Sequence, residues 1–197
     1  MPQLIDCDID NDYLIYEQAE GSSYEPDEFP NNYKVAYQLG QYIGYLHNIS
    51  FETCGLYPNG GTHDFKKRMI STMEELIKKY WNDNAEVKQY FEKAKEMDIP
   101  MDTYSLIMPD ISANQFLYSH DLKNIKANVD LDAYVIGPRE LELTVIEMCL
   151  SDMDPFIKGY EKYLQIPDMN ICRKFYRFWM YLNDPWEKNN LYDFIGE

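Results

Sequence analysis

The middle of the chain is what most restricts the fold. Three short β-prone runs, Leu106–Met108, Gln115–Tyr118 and Ile125–Val129, are separated by polar turns and flanked on both sides by helical periodicity. Runs this short cannot stand as a free sheet, so they form a small hairpin-like patch packed on helices. Upstream, Val35, Leu39, Tyr42, Ile43, Leu46 and Ile49 recur at helical spacing and predict an amphipathic helix over 33–49. Two Lys- and Glu-rich stretches, about 64–81 and 84–97, predict two more helices. After Gly137-Pro138 come four others, at about 139–150, 153–164, 168–183 and 185–195, with Phe175, Phe178, Trp179 and Leu182 in their core stripes. Tyr13–Tyr16 is a further β-prone run, broken at Gly21-Ser22-Ser23; 24–32 is an acidic proline-bearing loop, and 55–63 a turn-rich connection. The expected class is mainly α with a small β element (α+β), folded as one domain over 1–197.

Composition excludes several functions. A formal net charge of -16 opposes nucleic-acid binding, which needs a positive surface, and favours a cationic substrate or simple solubility. Cys7, Cys54, Cys149 and Cys172 are scattered without a CxxC pair, and His47, His63 and His120 are equally dispersed, so neither a disulfide framework nor a zinc site is expected. The acidic start MPQLIDCDIDND does not read as a secretory leader, and no apolar run reaches membrane-span length. These features predict a cytoplasmic protein that engages no membrane.

The chemistry concentrates in LIMPDISANQFLY, residues 106–118. Asp110 stands on a Pro-Asp turn, with Asn114 and Gln115 four and five residues on, Asp130 after the third β run and Asp132 beyond it. A carboxylate and an amide on one loop, with a second carboxylate about 20 residues later, is a set that phosphoryl transfer uses. One Asp takes the proton of the attacking hydroxyl, while hard oxygen donors hold Mg²⁺ against the phosphates. Asp also favours turns and caps for its own local hydrogen bonds, so spacing alone leaves both readings of Asp110 and Asp130 open.

From Pro2 onward the chain resembles the C-terminal lobe of the aminoglycoside phosphotransferase and choline-kinase-like family, relatives of the protein kinases. PQLIDCD leading to YLIYEQAEG resembles the family's run into its hinge strand, and LGQYIGYLHNI its helix ending in Leu-His. Met108-Pro109-Asp110-Ile111-Ser112-Ala113-Asn114-Gln115, then FLY, resembles the catalytic His-Gly-Asp-x-x-x-x-Asn segment and its strand. Val129-Asp130-Leu131-Asp132 resembles the metal segment, with GPRELEL and DPFIKGYEKY following as in the family.

The resemblance implies a protein-kinase-like C-lobe with a hinge-like strand in 1–23, helices over 24–104, the catalytic and metal loops over 105–134 and C-terminal helices over 135–197. It implies Asp110 as catalytic base, Asp130 with Gln115 or Asn114 at Mg²⁺, and Glu17, Gln18 and Ala19 along the nucleotide, ATP or GTP. The acceptor would be a small-molecule hydroxyl, cationic in several family members, and Glu140, Glu142, Asp152 and Asp154 are candidates to face it or are simply solvated helix faces. Two positions depart from the pattern: Met108 replaces the family's histidine and reads as a core filler, and Gln115 is one methylene longer than the family's asparagine. The family's N-lobe, with its nucleotide-covering loop and strand lysine, has no counterpart in the sequence. The expectation is therefore a truncated lobe: an enzyme completed by a homodimer partner or a separate N-lobe chain, or a non-catalytic, pseudokinase-like module that binds a ligand or protein.

Overall fold

The computed structural model describes residues 4–8, 10, 13–56, 60–62, 64–100, 103–129, 134–186 and 190–196. In chain order the elements are β1 (Leu4–Asp8), β2 (Tyr13–Tyr16), α1 (Tyr33–His47), β3 (Ser50–Phe51), β4 (Cys54–Leu56), β5 (Gly60–Thr62), α2 (Phe65–Tyr80) and α3 (Ala85–Glu96). They continue with β6 (Tyr104–Ile107), a 3-10 turn (Ala113–Gln115), β7 (Phe116–Tyr118), β8 (Ile125–Asn128), β9 (Val135–Gly137), α4 (Arg139–Cys149), α5 (Asp154–Tyr160), α6 (Asn170–Asn183) and α7 (Leu191–Ile195). The class is mainly α with small antiparallel sheets, as the periodicity predicts. No described helix is long and apolar enough to cross a membrane.

The chain divides into two compact units. The first comprises 1–48, 108–134 and 145–166. Its scaffold is α1 against α5. Asn32 caps α1, its side chain accepting the Lys34 N–H at 2.9 Å, and Val35, Leu39 and Ile43 on the buried face are wholly shielded from solvent. Burial of each such side chain stabilises by about 1.5–3 kcal/mol. The two helices meet through glycine: a Cβ on Gly40 would overlap the Phe156 carbonyl, and one on Gly159 would overlap that of Tyr37. At the end of α1 the buried His47 Nδ1 pairs with the Tyr160 hydroxyl at 3.0 Å. β7 and β8 form a two-stranded ladder, with Phe116 opposite Asn128 and Leu117 opposite Ala127. β1 and β2 form a hairpin in which every residue but Asp8 is exposed.

The second unit comprises 49–107, 135–144 and 167–197. Its sheet is antiparallel throughout, in the order β3-β6-β9-β4-β5. Its core gathers Met69, Met73 and Ile77 of α2, Val87, Tyr90 and Phe91 of α3, and Phe175, Tyr176, Phe178 and Leu182 of α6. Asp64 and Asn84 cap α2 and α3 through their side chains. The sheet corrects the expected hairpin-like patch: β6 pairs with β3 and β9, whereas β7 pairs with β8. The connection over 55–63 also contributes strands, Leu56 pairing with Gly60.

Candidate functional site

The site loop leaves the end of β6 and is contained in the first unit. The buried Met108 and Ile111 anchor it on either side of Pro109-Asp110, and the Ile111 N–H closes the turn on the Met108 carbonyl at 3.2 Å. Met108 is therefore the core filler its apolar side chain implies. Asp110 at the tip is exposed, and its carboxylate carries no hydrogen bond from any described residue. Apolar neighbours that must be buried, with one polar residue between them that need not be, present the carboxylate outward on a fixed turn.

The next residues brace that turn. Ser112 is extended and starts the 3-10 turn Ala113–Gln115, and the Gln115 side chain folds back over it. The Ser112 N–H donates to Gln115 Oε1 at 3.0 Å, and Gln115 Nε2 donates to the Asp110 carbonyl at 3.3 Å. This is a capping-box contact, and the extra methylene of glutamine gives it the reach. Asn114 is used in the same way: its Oδ1 accepts Ser112 Oγ and its Nδ2 donates to Asp27 Oδ1, each at 2.8 Å. The Asp27 carbonyl accepts the Ala113 N–H at 2.8 Å.

Other first-unit groups close the surroundings. The Tyr118 hydroxyl donates to the Ala113 carbonyl at 3.0 Å, and burial holds that phenol well above its ordinary pKa. The Cys149 thiol points at the Ile111 carbonyl at 3.8 Å. Burial, reinforced by the carboxylates of Asp27 and Glu28, pushes it up to about 11, so it stands as a neutral thiol at physiological pH rather than a thiolate nucleophile. The Val129 N–H donates to the Gln115 carbonyl at 2.9 Å. Buried Asn128 donates to the Tyr134 hydroxyl at 3.1 Å, which in turn pairs with that of Tyr42 at 2.7 Å.

The structure thus brings Asp110, Asn114 and Gln115 onto one loop. Glu17, Gln18 and Ala19 lie in the extended segment after β2, the first two exposed and Ala19 half-buried. That segment is tied to β7 just downstream, where Ser22 and Tyr118 exchange backbone bonds of 2.8 and 3.0 Å and Ser22 Oγ meets His120 Nδ1 at 2.7 Å. Asp130 and Asp132 lie outside the described residues. Asp152 and Asp154 are exposed, and Asp152 lines a cavity of about 210 Å³ with Pro30, Tyr33 and Pro155. Glu140 and Glu142 are buried, at 8% and 0% exposure, which overturns their reading as solvated helix faces.

Of the donors the resemblance assigns to Mg²⁺, the described residues include Asn114 and Gln115. Each amide oxygen accepts one hydrogen bond inside the loop, from Ser112 Oγ and the Ser112 N–H, and keeps a second lone pair. Among the described residues no group of three or more His, Cys, Asp or Glu gathers to hold a metal. What the loop offers chemically is one exposed, rigidly mounted carboxylate. Asp27, Asn128 and Tyr134 were not singled out from sequence, where no periodic spacing links them to the loop; Ser112-x-x-Gln115 was a readable capping signal.

No family model matches the sequence, and no curated protein matches it. Solved structures do. A Ralstonia eutropha protein assigned as an aminoglycoside phosphotransferase aligns with a TM-score of 0.66 at 15% identity, over 87% of this chain and 62% of its own. A type VIII aminoglycoside-3'-phosphotransferase aligns at 0.61 and 12% identity, over 86% of this chain and 68% of its own. The macrolide 2'-phosphotransferase of Brachybacterium faecium aligns at 0.63 and 12% identity, over 93% and 66%. The chain therefore has the fold of these proteins and spans about two thirds of their length.

Proposed function

We propose that this chain, which has the fold of aminoglycoside and macrolide phosphotransferases, is a phosphotransferase-type protein that passes the γ-phosphoryl group of ATP or GTP to the hydroxyl of a small molecule. The observation that carries the reading is Asp110, exposed on a turn whose two flanks are buried and whose backbone carbonyl is held by Gln115. In the proposed step the acceptor hydroxyl forms the new O–P bond as its proton passes to the Asp110 carboxylate. The bond from the γ-phosphorus to the bridging oxygen breaks, and the nucleoside diphosphate leaves. A loop fixed before the acceptor arrives lowers the orientational cost of that step. Mg²⁺, bound with the nucleotide, would supply charge neutralisation at the phosphates. The formal charge of -16 draws cationic acceptors toward the protein, which suits a hydroxylated amine.

Nucleotide binding is the simplest check. With ATP and MgCl₂ at about ten times Kd, the native state gains about 1.4 kcal/mol, a rise in Tm of roughly 3–6 °C for a chain of this size. No shift at millimolar nucleotide contradicts the reading.

A second reading, a non-catalytic module that self-associates, is favoured by the β1–β2 hairpin, where Ile5, Leu14 and Ile15 are 65%, 60% and 47% exposed. A strand whose apolar side chains stand in water, with an edge unpaired among the described residues, is a template for pairing. Under this reading, light scattering after size exclusion shows a dimer that grows with concentration. Salt strengthens it by screening the repulsion between two copies of charge -16, and Leu14→Lys abolishes it. A monomer at every concentration and salt excludes it.

A further inference from the structure

We propose that Asp27 is a positioning residue for Asp110, acting through a hydrogen-bond relay that commits both loop amides to bracing the turn. The role rests on the reading of Asp110 as the proton acceptor, whereas the relay itself does not. Its links run from Asp27 Oδ1 to Asn114 Nδ2 at 2.8 Å, from Asn114 Oδ1 to Ser112 Oγ at 2.8 Å, from the Ser112 N–H to Gln115 Oε1 at 3.0 Å, and from Gln115 Nε2 to the Asp110 carbonyl at 3.3 Å. A carboxylate only accepts hydrogen bonds, so Asn114 must turn its NH₂ toward Asp27 and leave its oxygen for Ser112. The first link is also charge-assisted, which makes it stronger than a bond between neutral groups. Asp27 is held in place by its own backbone, whose carbonyl takes the Ala113 N–H at 2.8 Å, and two residues on the Phe29 N–H is bonded to the Cys149 carbonyl at 2.9 Å. The Phe29 ring packs on that of Phe116, with centroids 5.6 Å apart. The acidic proline-bearing loop is thus a strap over the site loop, and Asn114 and Gln115 are its fastenings.

The relay separates loop order from chemistry, and so does its test. The full chain is compared as wild type, Asp27→Ala, Asp27→Asn and Asp110→Asn, by backbone hydrogen exchange over residues 110–115 and by transfer of labelled phosphoryl from Mg²⁺·ATP to kanamycin and to water. Asp27→Ala is expected to speed exchange at Ser112 and Gln115 and to lower kcat about ten- to hundredfold, with KM for ATP unchanged. Asp27→Asn keeps an oxygen that accepts from Asn114 Nδ2 and is expected to restore most of both. Exchange at the wild-type rate in Asp27→Ala overturns the relay, and faster exchange with unchanged kcat overturns the positioning role. Turnover that survives in Asp110→Asn, or is missing from the wild type, defeats the phosphoryl-transfer reading and the positioning role with it. The exchange data still decide whether the relay exists.

Discussion

Gly40→Ala is expected to destabilise the first unit by about 3 kcal/mol, although alanine in a helix interior ordinarily stabilises by about 1 kcal/mol relative to glycine. The sign reverses because α1 and α5 touch backbone to backbone. A Cβ at Gly40 would overlap the Phe156 carbonyl, one at Gly44 would lie 2.8 Å from the Tyr160 carbonyl oxygen, and Gly159 is in the reciprocal position against Tyr37. No rotamer relieves a clash with main chain, so the helices must separate. Separation weakens the buried His47–Tyr160 bond of 3.0 Å and opens voids beside Leu39 and Ile43. Urea denaturation reads the effect as a lower midpoint with an unchanged slope. An alanine variant as stable as the wild type would show that the two helices are not in this close contact.

Much of the helical framework was legible in the sequence, because a buried stripe must repeat with the helical turn. Val35, Leu39 and Ile43 marked α1, and Phe175, Phe178 and Leu182 marked α6, within a few residues of their ends. The sheet was not legible. β3 is two residues long and β4 and β5 three each, too short to show a period, so the strand that precedes Asp110 was grouped with β7 and β8 instead of β3 and β9. At the site, spacing alone left Asp110 open between a turn residue and a working carboxylate, since Asp favours turns for its own local hydrogen bonds, and it was the resemblance of the whole 108–118 segment that singled it out. The bond from Asp27 to Asn114 joins positions 87 residues apart and leaves no local trace. The resemblance gives Gln115 as a metal donor but does not reveal that its side chain also caps Ser112 and holds the Asp110 carbonyl, a role its length permits. The acidic composition of α4 suggests a solvated or substrate-facing Glu142, yet it is fully buried, because α4 hides residues on more of its circumference than that composition implies.

The largest effect on activity is expected from Asp110→Ala. The side chain is exposed and bonded to no described residue, and the backbone carbonyl that Gln115 holds survives the change. Stability should therefore stay within about 0.5 kcal/mol of the wild type. Removal of the proton acceptor, in contrast, should lower phosphoryl transfer by about 10²- to 10⁴-fold, because the attacking hydroxyl would have to lose its proton to water. The decisive measurement is the rate at which label passes from the γ-position of Mg²⁺·ATP to an aminoglycoside hydroxyl, for the wild type and for Asp110→Ala at matched folded concentration. Transfer by the wild type that collapses in the variant, with Tm unchanged, is the expected result. Equal rates in the two proteins, or no transfer by either, would contradict it.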